Sequence, residues 1–303
     1  MKTEADVISD GIKLSIVFLN YNRQSETRQT VEQLKKITAN RRDIEIIAVD
    51  NGSSDGTVNY LKQQNVISVL LADNSGIAGY NKGFEITKGE YILVLDDDSS
   101  PADVDCIDKA IESLDQNSDI GLIACHIETP DGKAQWSWHL PCHYLRCRSP
   151  FFVGCGFFIR RELFKKIGWY PEDFFLYQNE IEVSFQVRMQ GFDIIYDPAC
   201  IVIHRGFPNQ RAHWRRIFFP TRNTLWLLRK YYRQPWLSYL IISRLLIGFV
   251  RALQFGELNC YFNAVYQGFN RQVKKDLLPS DLLPIFSPFF KQNSIIHQLL
   301  DKI

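Results

Sequence analysis

The sequence predicts an α/β fold: a mainly parallel sheet with flanking helices, followed by a helical C-terminal extension. Three observations predict it. Short, near-continuous apolar runs alternate with helix-period segments between Leu14 and Ile203, as strands buried on both faces do. Four successive runs each close on a polar cluster rich in Asn, Asp and Gly. Beyond His204 the chain changes to aromatics and Lys/Arg at helical spacing.

The elements follow in order. LSIVFL at 14–19 reads as a buried strand and 26–38 as a helix. IEIIAV at 44–49 is a second strand, 57–64 a short helix, 67–71 a third strand, 77–87 a helix, and YILVL at 91–95 a fourth strand. A helix at 104–114 and a strand at 121–125 come next. The stretch 129–150 is looser; 151–159 is strand-like, 161–167 and 180–190 helical, and 194–196 and 200–203 short strands. Pro279, Pro284 and Pro288 interrupt the tail.

The chain has 303 residues, 46% hydrophobic and 23% charged, so it is long enough to bury a core without staples. Its seven cysteines are odd in number and form no C-x-x-C pair, which argues for reduced thiols rather than a disulfide framework or zinc ribbon. The polar first thirteen residues lack a signal-peptide core, and the most apolar stretch, 236–255, contains Arg244 and Arg251. A cytoplasmic protein without a spanning helix is therefore expected. Net charge is +1, yet residues 1–203 hold 30 Asp/Glu against 20 Lys/Arg, whereas 204–275 hold 13 Lys/Arg and one acid, Glu257. Such asymmetry signals an anionic partner: a membrane surface, a nucleic acid or an anionic substrate.

Ligands of open parallel sheets bind beyond the carboxyl ends of the strands. The polar clusters lie there: 20–23, 50–56, 73–76 and 96–98. Asp96-Asp97-Asp98 is the sharpest. Three adjacent carboxylates repel unless water or a cation screens them. In an extended segment Asp96 and Asp98 share a side and would suit Mg²⁺ or Mn²⁺; a solvated acidic loop or helix cap is the alternative. No P-loop motif occurs, and no G-x-G-x-x-G follows the first strand, which excludes the common nucleotide-triphosphate and dinucleotide folds. Gly154 and Gly156 in a strand-like run suggest close approach to a ligand or another backbone, or a simple bulge.

In order along 13–225, the runs VFLNYNR, VDNGSSDG, NSGIAGYNKG, YILVLDDD, GCGFFIRR, FFLY, Pro198 to His204 and TRN resemble the inverting family 2 glycosyltransferases of the GT-A fold. The similarity is to the branch holding rhamnosyl- and galactofuranosyltransferases. It implies a catalytic domain over 1–210 and a basic, aromatic-rich helical region over 211–303. It further implies that Asp50 hydrogen-bonds the nucleotide base in a pocket lined by Asn20, Asn22 and Arg23. Asn51, Asn74, Gly76, Asn81, Lys82, Asp96, Asp97 and Gly154 are expected around the donor. Asp96, Asp98 and His204 are the implied metal ligands. Mn²⁺ is expected over Mg²⁺, because an imidazole among carboxylates softens the site.

The family's base is an acid in a Glu-Asp pair opening a helix. Here Asn179 stands at the first position and Glu180 at the second, so Glu180 is the expected base and Glu182 the runner-up. Trp136 and Trp138 share a side if extended and are acceptor-stacking candidates; ordinary packing is the alternative. The implied donor is a UDP- or dTDP-sugar, and the implied acceptor a glycan or lipid-linked saccharide. An anionic membrane surface is a further candidate partner, at the inner face of the cell membrane; self-association stays open and nucleic acid is not expected. Asn179 keeps a catalytically inactive sugar-binding member of the same fold as the alternative. A nucleotidyltransferase is disfavoured because 14–23 lacks a Gly-rich basic phosphate loop.

Overall fold

A computed structural model describes residues 11–206 and 212–300. They fall into two compact units. The first comprises the described residues to Asp173 and Gln186–Gly206; the second comprises Phe174–Phe185 and residues 212–300. The expected boundary at 210/211 lies outside the described residues.

The first unit contains β1 (Leu14–Asn20), α1 (Gln24–Ile37), β2 (Ile44–Asp50), α2 (Thr57–Lys62), β3 (Ile67–Leu70), α3 (Gly79–Glu85), β4 (Tyr91–Asp96) and β5 (Ser99–Pro101). It continues with α4 (Val104–Gln116), β6 (Ile120–Glu128), β7 (Cys147–Arg148), β8 (Gly156–Arg160) and α5 (Arg161–Lys166). Next, α6 (Asn179–Met189) begins in the second unit and ends in the first, before β9 (Asp193–His204). The strands form one sheet in the order β3-β2-β1-β4-β8-β6-β9-β5, with β7 beside β9.

β1 to β4 are mutually parallel, and β6 is parallel to β9. β8 runs antiparallel between β4 and β6. Burial explains the unbroken apolar runs: every residue of YILVL in β4 is fully buried. α1 buries Thr27, Thr30, Val31 and Leu34, one face at helical spacing. α4 is capped by Asp103, whose Oδ1 accepts the Cys106 N–H at 2.9 Å.

Three elements depart from the sequence expectation for visible reasons. The helix expected from residue 77 opens as a short 3₁₀ turn, Gly76–Ala78, before α3. α3 lies so close to the sheet that a Cβ at Gly83 would sit 2.6 Å from Val49 Cγ2. The two short strands after 193 are one, β9, whose register against β6 jumps between Asp197 and Ile201 because Pro198 offers no N–H to the ladder. Of the run 151–159 only the end from Gly156 is strand; the close approach is at Gly156, where a Cβ would lie 2.9 Å from Val202 Cβ, while Gly154 occupies a turn.

The second unit holds α7 (His213–Tyr231), α8 (Trp236–Phe255), α9 (Leu258–Asn270), α10 (Ser287–Gln292) and α11 (Ile295–Leu300). Ile217, Ala252 and Tyr261 form an apolar seam between α7, α8 and α9. Gly248 and Gly268 allow the helices to approach, since a Cβ at Gly268 would stand 2.5 Å from Leu225. Phe185 packs edge-on to Tyr231, Phe286 and Phe289.

Candidate active site

The parallel register ends β1, β2 and β4 level, with Asn20 opposite Asp50 and Leu19 opposite Asp96. The chain after β3 joins this rim through the Leu71 N–H, which donates to the Asp50 carbonyl at 2.9 Å. The four polar clusters thus meet at the carboxyl edge, where such sheets bind ligands. A cavity of about 750 Å³ opens at the opposite ends of the strands, lined by Lys13, Lys88, Glu90 and Arg160, remote from this chemistry.

The rim is cross-tied by its own side chains. Asn20 Nδ2 donates to Asp50 Oδ2 at 2.6 Å, and Asp50 Oδ1 accepts the Ser53 N–H at 2.8 Å. Asn20 Oδ1 is buried without a hydrogen-bond partner among the described residues, an acceptor open to a ligand. Asn22 adopts a left-handed φ of 52° and accepts the Ser54 N–H at 2.7 Å, tying the first loop to the second.

Several residues expected around the donor have partners within the protein. Asn51 is 1% exposed; its Nδ2 donates to Asn74 Oδ1 and the Gly76 carbonyl, and its Oδ1 accepts from Ser75. It therefore latches the 74–76 loop, and Asn74 and Gly76 contribute to that latch. Asn81 is buried, exchanging two hydrogen bonds with the Tyr170 backbone. Asp97 is buried and faces Arg23 instead of solvent, because 97–98 form a turn rather than an extended segment. Lys82 is exposed and pairs with Glu85 at 3.0 Å.

The turn nevertheless brings the three residues expected to hold a metal together. β5 pairs with β9 so that Ser99 lies opposite His204, which sets Asp98 beside the imidazole. Ligand atoms of Asp96, Asp98 and His204 lie within 4.8 Å of one another. Asp98 Oδ1 is buried, has no hydrogen-bonded donor among the described residues and stands 3.2 Å from His204 Nε2. A Cβ at Gly206 would fall 2.6 Å from Asp98 Oδ2 and 2.9 Å from His204 Nε2, so the absent side chain leaves room at the ligand atoms. Two carboxylates and an imidazole around an orphaned buried oxygen fit a divalent cation of the Mn²⁺ or Mg²⁺ type.

Electrostatics divides the three aspartates. Burial pushes the Asp97 carboxyl well up, reinforced by Asp98 and Asp96, although Arg23 Nη1 lies 2.6 Å away and pulls the other way. Burial also opposes ionisation of Asp98, but His204 and Arg23 outweigh it and hold that carboxyl at about 2. Asp98 is thus a carboxylate at neutral pH. Tyr80, which sequence reasoning did not single out, points its hydroxyl at the Leu95 carbonyl (2.7 Å) and Asp96 Oδ1 (3.2 Å). Burial pushes its phenol well up, so it remains a donor to Asp96.

In the second unit, Glu180 and Glu182 lie in the first turn of α6. The segment before it is strained: Phe175, Tyr177 and Gln178 have φ of 56°, 66° and 70°. From α7, Asn223 Nδ2 faces the carbonyls of Phe174, Leu176 and Tyr177 at 2.9–3.0 Å, and Arg222 donates to Phe174 at 3.0 Å. Those two residues belong to the TRN run of the sequence, whose role spacing alone did not reveal. Glu180 is half-buried, whereas Glu182 is buried between Lys230 and Tyr231. Trp136 and Trp138 do not form one platform. The chain turns at Trp138, which stacks on His139, while Trp136 packs against His126 and Tyr144.

The glycosyl transferase family 2 profile matches residues 15–168, and the chain belongs to that family. The fold is GT-A. Among relatives, it is 36% identical over 94 residues to the poly(ribitol-phosphate) beta-glucosyltransferase of Bacillus spizizenii, covering 29% of this chain and 15% of that protein. It is 36% identical over 91 residues to the glycosyltransferase GlyG of Streptococcus pneumoniae, covering 28% and 30%. The matches thus span less than a third of either relative. GalNAc-T7, solved with UDP, GalNAc and Mn²⁺, superposes with a TM-score of 0.62 at 18% identity, covering 78% of this chain and 51% of that one. The mannosyltransferase PcManGT of Pyrobaculum calidifontis, solved with GDP-Man and Mn²⁺, gives 0.56 at 16% identity over 98% and 89%.

Proposed function

We propose that this glycosyltransferase transfers a sugar, with inversion and in a metal-dependent reaction, from a UDP- or dTDP-sugar to a hydroxyl of a glycan or lipid-linked saccharide during cell-surface polysaccharide synthesis. The observation that carries this reading is the cluster of Asp96, Asp98 and His204 on the same rim as Asn20 and Asp50. A bound divalent cation would supply charge neutralisation at the diphosphate leaving group. Asn20 and Asp50 bind the nucleotide base, with Asn22 and Arg23 shaping that pocket. Glu180 accepts the proton of the acceptor hydroxyl as its oxygen bonds to the anomeric carbon and the nucleoside diphosphate leaves. Attack opposite the leaving group inverts that carbon and needs no covalent intermediate.

The test is a thermal-shift panel of nucleotide sugars with Mn²⁺ or Mg²⁺, followed by turnover assays on the donor that stabilises. A ligand at a hundred times its Kd adds roughly 2.7 kcal/mol. A second reading, a sugar-binding member without turnover, rests on Asn179, a buried amide where the family carries an acid. Intact donor after prolonged incubation with protein that binds donor and metal favours that reading.

The acceptor proposal extends to the second unit. α8 is long and apolar enough to cross a membrane by length and composition, with 28% of its apolar window buried. Arg244 on this helix is buried within the unit, which argues for a surface role rather than a span. Ile242, Leu246, Phe249, Val250 and Leu253 are exposed along one face, and Arg233, Arg251, Lys274 and Lys275 are exposed in the same unit. This combination supports peripheral association with an anionic membrane at the cytoplasmic face, where lipid-linked acceptors reside.

A further inference from the structure

The hydrogen bonds around His204 involve a residue with no assigned role. Gln135 follows a tight turn in which the Thr129 N–H donates to the Lys133 carbonyl at 2.9 Å. Its own N–H is fixed to the Ile127 carbonyl at 2.8 Å. Its side-chain amide meets His204 twice. Nε2 donates to the His204 carbonyl at 3.1 Å, and Oε1 lies 3.0 Å from His204 Nδ1. A backbone carbonyl only accepts, so the amide nitrogen must face it and the amide oxygen must face the ring. An amide oxygen also only accepts, so Nδ1 carries the ring hydrogen. The neutral imidazole is then fixed as the tautomer whose lone pair is on Nε2, the atom 3.2 Å from Asp98 Oδ1.

We propose that Gln135 is the positioning residue of the metal site: it selects the His204 tautomer and ring orientation that present Nε2 to a divalent cation. This rests on the metal reading above. Ligating histidines elsewhere are oriented in this way by a partner on the second nitrogen, and loss of that partner typically weakens metal affinity 10–100-fold. The Thr129–Lys133 turn thereby contributes to catalysis without touching substrate.

Two measurements that require no turnover test it. The first is Mn²⁺ binding by electron paramagnetic resonance, with the metal alone, on wild type, Q135L, Q135E and D98N. Q135L should weaken Mn²⁺ 10–100-fold, and Q135E, which keeps an acceptor facing Nδ1, should recover most of that loss. The second is the imidazole ¹⁵N spectrum of wild type above pH 8, with the His204 signals assigned by difference from H204A. Nδ1 should be protonated and Nε2 bare in wild type, and the two forms mixed in Q135L. Wild-type His204 protonated on Nε2, or Q135L binding Mn²⁺ as wild type does, overturns the proposal. If wild type and D98N bind Mn²⁺ equally, the metal reading fails instead, and the tautomer spectrum still decides the clamp.

Discussion

Lys230 Nζ lies 2.6 Å from Glu182 Oε1, and the Tyr231 hydroxyl donates to the same oxygen at 2.7 Å. Two consecutive residues of α7 therefore hold one carboxylate that is 8% exposed. A carboxylate so engaged is an anchor for α6, whereas Glu180, two positions nearer the helix start on another face, retains access to solvent.

The two acids should consequently separate by assay. E180Q should lower kcat by roughly 10²–10⁴-fold with donor affinity little changed. E182Q should leave kcat per folded molecule near wild type but lose about 2 kcal/mol of stability through its charge-assisted hydrogen bonds. Wild-type kcat in E180Q would remove Glu180 from the mechanism.

For the metal, D98N should abolish turnover and weaken nucleotide binding only when metal is present. Excess chelator should stop the wild-type reaction, with Mn²⁺ restoring it better than Mg²⁺ because of the imidazole ligand. Undiminished turnover in chelator rejects the metal reading.

Asn223 should matter beyond its own helix. N223A leaves the carbonyls of 174, 176 and 177 without their shared donor and frees a strained segment that leads into Glu180. The expected result is a kcat reduced at least tenfold, faster amide exchange across 175–180, and unchanged donor KM. Unaltered exchange there would show that the left-handed conformation is held by other contacts.

Acid stability should carry the signature of His139. Burial against Trp138 and Phe151 lowers its pKa to about 4, below the unfolded value of 6.5. The neutral ring is favoured in the folded state, so its contribution is complete above pH 6.5 and is lost as pH falls towards 4. Over that window the loss is about 3 kcal/mol. H139F should flatten the slope of urea midpoints between pH 7 and 4.5; parallel slopes for the two proteins would exclude this source.

Vesicle co-sedimentation addresses the second unit. Wild type should pellet with anionic vesicles at low salt and be released at high salt, each exposed cation near the surface contributing roughly 1 kcal/mol. Substituting Ile242, Leu246 and Leu253 by Gln should abolish pelleting without altering the buried seam. Equal pelleting with neutral lipid, or none, would reject membrane association.

Much of this was legible in the sequence. Strands that are buried on both faces announce themselves, as YILVL in β4 does, and the polar ends of β1, β2 and β4 had to meet once those strands were parallel. The candidate metal cluster Asp96, Asp98 and His204 was readable as residue types in order. What was hidden depends on side-chain direction. Asn51 and Asn81 look like ligand-binding amides, yet both are engaged by neighbouring loop groups, Asn81 by the Tyr170 backbone and Asn51 by residues 74–76, because buried loop amides and carbonyls need partners. Asp97 is chemically identical to its neighbours and is separated from them only by a turn. Gln135 lies 69 residues from His204 with no local pattern to link them.

The route of the chain also limits how this enzyme can be altered. It leaves the first unit after Asp173, returns at Gln186 and leaves again after Gly206. The helices after residue 212 are therefore not a detachable cassette. A chimera that exchanges everything beyond Gly206 would keep the old Glu182 and the old 174–178 loop, and present them to a new helix in place of Lys230, Tyr231 and Asn223. Recombination that preserves activity has to move 174–185 with the tail, so diversification of this region should proceed by paired changes at distant positions rather than by the swapping of ends.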